Sequence, residues 1–252
     1  MRCSPPPAQS RPRLRQASVS EISKTADKAL NLLLALEGRS LTAPELTAIT
    51  GMNRTVVRRL LQTLLSRDLI RREGSRFQLS GRMRRLASAV YPELRRAARP
   101  AAEALMRELG ETVVFQIVDG SAMVVLLELL HGRGTGMLVR HEVGSRSGMS
   151  ESASGLAVLA ATDARARDRL LGRDPDPELL ERIAEAQEQG IAFTSDLLRS
   201  GVAGLAVAVR DGSDTVIGSL AALVPSARVD KLRASESALR RAAAQIESQL
   251  SA

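Results

Sequence analysis

The sequence predicts a protein of the α+β class with two domains, a small basic one followed by a larger one. Its length of 252 residues suits one large domain or two small ones. Residues 1–100 carry 20 Lys+Arg against 7 Asp+Glu, whereas residues 101–252 carry 16 against 21. Helical periodicity dominates the first part. The second part mixes β-rich hairpins with helices too irregularly for a doubly wound sheet.

Composition narrows the classes of protein. The net charge is +8, and the basic first part indicates either a polyanion-binding module or a basic tail on an ordinary enzyme. The sequence has no run of about 18 apolar residues, so no membrane span is predicted. Residues 1–21 lack an apolar signal core, so we expect a disordered basic arm and a cytoplasmic protein. Cys3 is the single cysteine, and His131 and His141 are the only histidines, so we expect no metal and no cofactor.

Three helices are predicted after the arm. In "KTADKALNLLLALEG" the apolar residues Ala26, Ala29, Leu30, Leu33 and Leu36 recur at three- and four-residue intervals. A second, short helix begins at Thr42, which has capping-box spacing to Glu45, and Gly51 ends it. Asn53 is a suitable N-cap for the third helix. The apolar stripe of that helix consists of Val57, Leu60, Leu61, Leu64 and Leu65.

The third helix is basic on the side opposite its apolar stripe. Two short helices joined by a tight turn, the second with a basic outer face, predict a helix-turn-helix. The following "DLIRREGSRFQLS" predicts two strands around Glu73-Gly74-Ser75. This hairpin would be the wing of a winged helix, and the domain would span residues 22–81.

The second domain is predicted to combine antiparallel hairpins with packing helices. A linker helix is expected over 82–99, kinked or divided at Pro92 and Pro100, and the domain itself over 100–252. Strands are predicted in "ETVVFQIVDGSAMVVLLELL", "GMLVRHEVG" and "VAGLAVAVRDGSDTVIGSLAALV". Helices are predicted in "SESASGLAVLAA", "DPELLERIAEAQEQG" and the closing "VDKLRASESALRRAAAQIESQL".

Five ordered blocks of the chain resemble the IclR family of bacterial transcriptional regulators. They are "KTADKALNLLLAL", "LTAPELTAITGMNRTVVRRLLQTLLSRDLI", "SRFQLSGRMRRLA", "VGSRSGMSESASGLAVLAA" and "QGIAFTSDLLRSGVAGLAVAVRD". The resemblance implies an N-terminal winged helix, a linker helix and a C-terminal GAF-like effector domain with an antiparallel sheet. It also implies a regulator, by family tendency a repressor, that binds palindromic operators in double-stranded DNA as a homodimer or homotetramer.

Some positions depart from the family pattern. Gly148 stands where the family usually has proline, and Gly155-Leu156 stands where it usually has Gly-Lys. The strands that would line the pocket carry Gly204, Ala208, Ala221 and Leu223, where some relatives have cysteine or serine. We therefore expect a less polar pocket than in relatives that bind small organic acids, and we do not expect a 2-oxo acid.

The outer face of the third helix and the wing are the predicted DNA-binding surface. A helix fits the major groove, where arginine can bind guanine through two hydrogen bonds. The alternatives are a solvated helix face and an ordinary charged hairpin, and Arg59 could instead brace the fold or hold a phosphate. The candidate residues are Asn53, Arg54, Thr55, Arg58, Arg59, Gln62, Arg71, Arg72 and Arg76.

The start of the "SESASGLAVLAA" helix is the predicted effector site. Its free backbone N–H groups suit an anionic or strongly polar ligand group. The alternative is that its small residues only allow tight packing. The candidate effector-binding residues are Met149, Ser152, Ala153, Ser154, Ser195, Asp196, Gly204, Ala221 and Leu223.

No catalytic motif is present in the sequence. The stretch "HGRGTG" (His131–Gly136) lacks the Gly-Lys-Ser/Thr of a P-loop and reads as a flexible hairpin loop, and no G-x-S-x-G motif occurs. We therefore predict no catalytic residues and a protein that is not an enzyme. Two alternatives remain open, an enzyme that kept a helix-turn-helix and a ligand-independent DNA binder whose second domain only oligomerises.

Overall fold

A computed structural model describes residues 22–131, 139–171 and 175–251. The chain divides between Val90 and Tyr91 into two compact units. The predicted basic arm (1–21) and residues 132–136 of the predicted hairpin loop lie outside the described residues.

The first unit is a winged helix. Within its described part it contains helices α1 (Lys24–Ala35), α2 (Ala43–Thr50), α3 (Arg54–Ser66) and α4 (Gly81–Ser88) and strands β1 (Leu41–Thr42), β2 (Ile70–Glu73) and β3 (Arg76–Leu79). The strands form an antiparallel sheet in the order β1-β3-β2. The helix-turn-helix and the wing are confirmed, and β1 is a strand that the sequence did not predict. The α3 stripe packs inward as predicted, with Leu65 only half-buried.

The buried face of helix α1 overlaps the predicted one but is not identical to it. Leu32 and Leu36 are fully buried in the core of the first unit, whereas Leu30 is 58% exposed. Of the predicted stripe, Leu36 is buried and Ala29 and Leu33 pack against the core, whereas Ala26 and Leu30 are exposed and the buried Leu32 was not predicted. The segment "LNLLLAL" has so many apolar positions that the three- and four-residue intervals fit more than one face.

The junction between the units differs from the predicted linker helix. Helix α4 ends at Ser88, and Tyr91 adopts a left-handed conformation with φ +47° just before Pro92. Helix α5 (Pro92–Leu109) then continues through Pro100. The division at Pro92 is confirmed, but the predicted boundary after residue 99 falls inside α5, because Ala98 and Ala102 pack into the core of the second unit.

The second unit is a six-stranded antiparallel sheet with helices on both faces. Its strands, in the order β6-β5-β4-β9-β8-β7 across the sheet, are β4 (Thr112–Asp119), β5 (Ala122–Leu129), β6 (Arg146–Gly148), β7 (Ala192–Ser195), β8 (Val202–Arg210) and β9 (Val216–Pro225). After α5, its described helices are α6 (Ala153–Ala161), α7 (Ala164–Leu171), α8 (Pro177–Gln189), α9 (Val229–Ala234) and α10 (Glu236–Leu250). The α+β class is confirmed.

Alternation along β4 assigns the two faces of this sheet. Val113 and Phe115 pack with α5 and α10, whereas Val114 packs with α6 and α8. Successive side chains of a strand point to opposite faces. Gln116 therefore belongs to the α6 face, next to Val114.

Two predicted elements differ from the structure. The described residues of "GMLVRHEVG" form no strand, and the third described strand of the second unit is the short β6, which begins at Arg146. The closing helix is divided into α9 and α10 at Ser235, whose hydroxyl donates to the carbonyl of Leu232 over 2.6 Å. A buried serine that bonds to a nearby carbonyl competes with helix continuation.

Candidate functional site

The turn between α2 and α3 fixes the orientation of α3. Gly51 ends α2 with φ +66°, a conformation that glycine adopts without steric cost. Asn53 then caps α3, and its Oδ1 accepts from the N–H of Thr55 over 2.9 Å. These local interactions set the start of α3, and the buried Val57, Leu60 and Leu61 set its rotation.

Four of the predicted DNA-binding arginines are exposed and free of side-chain partners among the described residues. Arg54, Arg58 and Arg59 lie on the outer face of α3, and Arg71 lies on the wing strand β2. None of them makes an ion pair or a side-chain hydrogen bond within the described part of the chain. Thr55 and Gln62 are exposed on the same helix. The structure therefore brings the predicted α3 residues together on one positively charged face.

The other two wing arginines are engaged by the protein itself. The Nε of Arg72 donates to the Gly74 carbonyl over 2.7 Å, and its guanidinium lies 5.7 Å from the Phe77 ring centroid. Arg76 donates to the Ser40 carbonyl and lies 3.5 Å from the Glu45 carboxylate. These contacts hold the wing, and we expect less free charge here than the sequence suggested.

The start of α2 carries the predicted capping box. Glu45 accepts from the N–H and the hydroxyl of Thr42, at 2.7 and 2.9 Å, and Thr42 accepts from the N–H of Glu45. These hydrogen bonds, with the charge of Arg76, hold the pKa of Glu45 below its ordinary value. The carboxylate thus joins the start of α2 to the wing.

A cavity of about 40 Å³ lies beside the first turn of α6 in the second unit. Ser152 caps the helix by accepting from the N–H of Gly155 over 3.3 Å. The N–H groups of Ala153 and Ser154 have no partner among the described residues. Gly204 forms part of the wall, where an added Cβ would lie 3.3 Å from a Leu223 methyl group and 3.4 Å from Ala153. The missing side chain leaves space in front of the helix end.

The cavity is more polar than the sequence suggested. Besides the predicted Ser152, Ala153, Ser154, Gly204 and Leu223, it is lined by the polar Gln116, Arg140, His141, Thr194 and Arg199 and by the apolar Val139, Leu198 and Val202. The sequence did not indicate Gln116 as a lining residue because it lies within an apolar β-strand. The alternation of side chains along a strand predicts which face of the sheet Gln116 is on, and not whether it lines a cavity. The sequence did not indicate His141 and Arg199 because they lie in irregular segments. The expectation of a less polar pocket rested on the strand positions alone.

His141 lies beside the buried amide of Gln116 and has a pKa below its ordinary value. The Nε2 atoms of the two residues are 3.5 Å apart. Burial, followed by the positive charge of Arg199, lowers the pKa of His141, while Glu128 acts in the opposite direction. The Glu128 carboxylate accepts from the His141 backbone N–H over 2.7 Å and lies 3.2 Å from Arg140. The charge of Glu128 is therefore paired with Arg140, which lines the cavity.

Some predicted effector residues do not line the cavity. Met149 and Ala221 are buried in the apolar cluster between α6 and the sheet. Ser195 and Asp196 are exposed and stabilise the β7–β8 connection: Asp196 accepts from Gly201 N–H, Ser195 and Ser226. The first two donors, and then the Ser226 hydroxyl, lower the pKa of Asp196.

The loop that Asp196 stabilises contributes to the cavity through its other residues. Leu198 and Arg199 follow it and line the opening, where Arg199 Nη1 donates to the Arg140 carbonyl over 3.3 Å. Asp196 therefore positions lining residues, and its own contact with an effector stays a prediction.

The described residues contain neither a membrane-spanning helix nor a metal-binding cluster. No described helix is long and apolar enough to cross a membrane. No group of three or more His, Cys, Asp or Glu side chains in the described ranges could hold a metal ion.

A winged helix with an exposed arginine face, joined to a separate α+β domain, defines the class of DNA-binding transcriptional regulators. Residues 25–74 match the IclR helix-turn-helix domain, and residues 87–248 match the family described as bacterial transcriptional regulator IclR C-terminal. The chain belongs to the IclR family of bacterial transcriptional regulators. The predicted family and class of function are confirmed.

Two bacterial relatives of this chain are HTH-type transcriptional regulators. The HTH-type transcriptional regulator TsaQ1/TsaQ2 of Comamonas testosteroni is 29% identical over 217 residues, which cover 79% of this chain and 78% of that protein. The HTH-type transcriptional regulator KipR of Bacillus subtilis (strain 168) is 31% identical over 142 residues, which cover 55% and 56% of the two chains.

Solved structures share the fold. The IclR of Thermotoga maritima superposes with a TM-score of 0.76 at 17% identity, over 90% of this chain and 99% of that one. An IclR homologue of Microbacterium hydrocarbonoxydans, complexed with 4-hydroxybenzoate, superposes with a TM-score of 0.74 at 21% identity over the same shares. At these identities the likeness extends to the fold alone.

Proposed function

We propose that this regulator is a repressor that binds a palindromic operator as a homodimer or homotetramer and is controlled by a small-molecule effector. The observation that carries the DNA-binding part is the free arginine face of α3. Arg54, Arg58 and Arg59 lie on the exposed side of a helix whose opposite side is buried. A helix of this kind can enter the major groove, and two copies of it can bind two half-sites one helical turn apart.

The cavity beside α6 supports control by an effector. Two backbone N–H groups without partners, at Ala153 and Ser154, lie at the positive end of a helix. Arg199 lines the same cavity, and none of its described lining residues carries a carboxylate. An anionic group of a ligand would be stabilised there. The Microbacterium homologue is complexed with 4-hydroxybenzoate, a compound that carries an anionic group.

Control requires that the effector distinguish two arrangements of the protein. A ligand shifts the equilibrium only by its difference in affinity for the two states. We expect the effector to change the spacing or mobility of the paired winged helices and so to weaken operator binding. A protein whose second domain only oligomerises would show no such effect.

The test combines operator binding with a cavity-filling variant. Fluorescence anisotropy of the full chain on a duplex recovered from a random pool is measured with and without a panel of small organic acids. We expect at least one acid to weaken wild-type binding. Ser154→Phe should bind the duplex with wild-type affinity but ignore that acid, because the ring fills the cavity. A normal response in Ser154→Phe would refute this location, and no response to any acid in the wild type would favour the ligand-independent alternative.

A further inference from the structure

The corner between α5 and β4, residues 110–112, lies at the far end of the helix that begins at the junction between the two units. Helix α5 starts at Pro92, directly after the division between the units, and ends at Leu109. Gly110 terminates it with φ +64°, and β4 begins at Thr112. A displacement of this corner therefore moves the end of a helix whose other end adjoins the winged helix in the chain.

Glu111 is a buried carboxylate of this corner with two cationic partners. The residue is 3% exposed, its Oε2 lies 3.2 Å from Arg228 Nη2, and its Oε1 lies 3.1 Å from Lys231 Nζ. Arg228 is the last residue of a short 3-10 helix (Ser226–Arg228), and Lys231 belongs to α9, which follows directly. Two charge-assisted contacts thus fix this helical segment relative to the corner.

The other end of the same helical segment holds a loop of the effector cavity. The loop 196–201 contributes two residues to the cavity wall. The backbone N–H of Ser226 donates to the Gly201 carbonyl over 2.9 Å, and its hydroxyl lies 3.3 Å from both carboxylate oxygens of Asp196. The loop is therefore joined to Glu111 through a short helical segment.

A second contact reaches the same corner from another part of the cavity wall. The Thr112 hydroxyl donates to the carbonyl of Val139 over 2.6 Å, and both residues are buried. Val139 lines the cavity. Two separate segments of the cavity wall are thus held by consecutive residues of the chain, directly after α5.

Building on the proposed effector function, we propose that Glu111 couples the effector cavity to the operator-binding domain. A ligand that displaces the loop 196–201 also displaces the helical segment that begins at Ser226. The ion pairs of Glu111 transfer this displacement to the end of α5. Glu111 does not line the cavity, so it acts as a positioning residue. Coupling between two sites is reciprocal, and operator binding therefore shifts the equilibrium of the loop as well.

Reciprocity allows a test that does not require the identity of the effector. Hydrogen exchange of the full chain is measured by mass spectrometry with and without the operator duplex recovered from the random pool. In the wild type, we expect operator binding to change the exchange rate within the loop 196–201 at least about fivefold. In Glu111→Gln, the rates with and without operator should agree within about twofold.

The substitution Glu111→Gln removes the charge and nearly preserves the size of the side chain. Its two former partners, Arg228 and Lys231, have side chains that are 40% and 51% exposed, so water can solvate their charges in the variant. A merely structural role for Glu111 would lower the unfolding midpoint of the variant and leave the response of the loop to the operator intact.

Glu108→Gln is the matched control at the same end of α5. Glu108 pairs with Arg241 over 3.1 Å on the protein surface. This variant loses the same charge close to the corner, but Arg241 belongs to α10 and makes no printed contact with the loop 196–201. The loop should therefore respond to the operator as in the wild type. Loss of the response in both variants would refute the specific role of Glu111.

Ser226→Ala interrupts the same connection at its other end. The substitution removes the hydroxyl that reaches Asp196 and keeps the backbone contact with Gly201, so it keeps the test decisive if Glu111→Gln is unstable. We expect the response of the loop to the operator to fall at least about twofold, because the two residues act on one connection. An unchanged response in Ser226→Ala would contradict the proposed route.

The wild type distinguishes failure of this inference from failure of the proposed function. If its loop responds to the operator and the loop of folded Glu111→Gln responds equally, only the role of Glu111 is refuted and control through the cavity stands. If the wild-type loop does not respond, or no operator is selected, cavity and operator are not coupled, and the proposed effector control fails together with this inference.

Discussion

Replacing Arg58 by alanine should weaken operator binding without destabilising the protein. Arg58 is exposed on α3 and makes no ion pair within the described residues, so its removal costs no internal contact. A good contact from arginine to a base is worth about 1–3 kcal/mol. We therefore expect the Kd for the operator to rise roughly 5- to 150-fold.

The salt dependence of binding separates the two kinds of contact. If Arg58 binds a phosphate, the slope of log K against log salt concentration should become shallower by about 0.9 in Arg58→Ala. If it reads a base, the loss of affinity should be large on the operator and small on unrelated duplex, with little change in slope. Anisotropy titrations between 50 and 200 mM salt, the range over which such slopes are expressed, give both quantities.

Arg76→Ala is the matched control on the same domain. Arg76 pairs with Glu45 and with the Ser40 carbonyl. Its replacement should lower the unfolding midpoint of the protein, whereas Arg58→Ala should leave it unchanged. An unchanged operator Kd for Arg58→Ala at every salt concentration would refute the assignment of α3 as the recognition helix.

Three further predictions concern the winged helix. Leu32→Ala should lower the free energy of unfolding in urea by about 2–5 kcal/mol. The matched Leu30→Ala should change it by less than about 0.5 kcal/mol. Equal effects of the two substitutions would contradict the observed buried face of α1. Gly51→Ala should cost about 1–2 kcal/mol in the same assay, since φ +66° strains any side chain while the space around it is open. Because the folded-state pKa of Glu45 is lowered, its stabilising effect is present above the ordinary carboxyl pKa and lost as pH falls through the lowered value. The unfolding midpoint of the wild type should thus exceed that of Glu45→Gln at pH 7, and a gap that fails to shrink in acid would contradict the assignment.

The sequence allowed prediction of the elements in which local signals agree. In α3 the Asn53 cap, the 3.6-residue stripe and the preceding Gly51 all point to the same helix, and the structure has it. The β4–β5 hairpin was equally clear, because two β-rich runs flank Asp119-Gly120-Ser121. The residues at the ends of such elements determine where they begin and end.

The remaining features depend on contacts that are distant along the chain. The face of α1 is chosen by the core of the first unit, which buries Leu32 and leaves Leu30 outside. The cavity joins Gln116 of β4, His141 of an irregular segment and the first turn of α6. No spacing in the sequence indicates that these residues line one cavity, because that depends on which groups the fold brings together.

Selection of bound duplexes from a random pool tests the central claim most directly. The selection is performed with the full-length wild type and with the Arg54→Ala, Arg58→Ala, Arg59→Ala triple variant, after circular dichroism has shown that both are folded. An exposed arginine face on α3 that reads duplex DNA predicts enrichment of one inverted repeat by the wild type and its loss in the triple variant. Enrichment of the same repeat by both proteins, or of no sequence by the wild type, would contradict the claim.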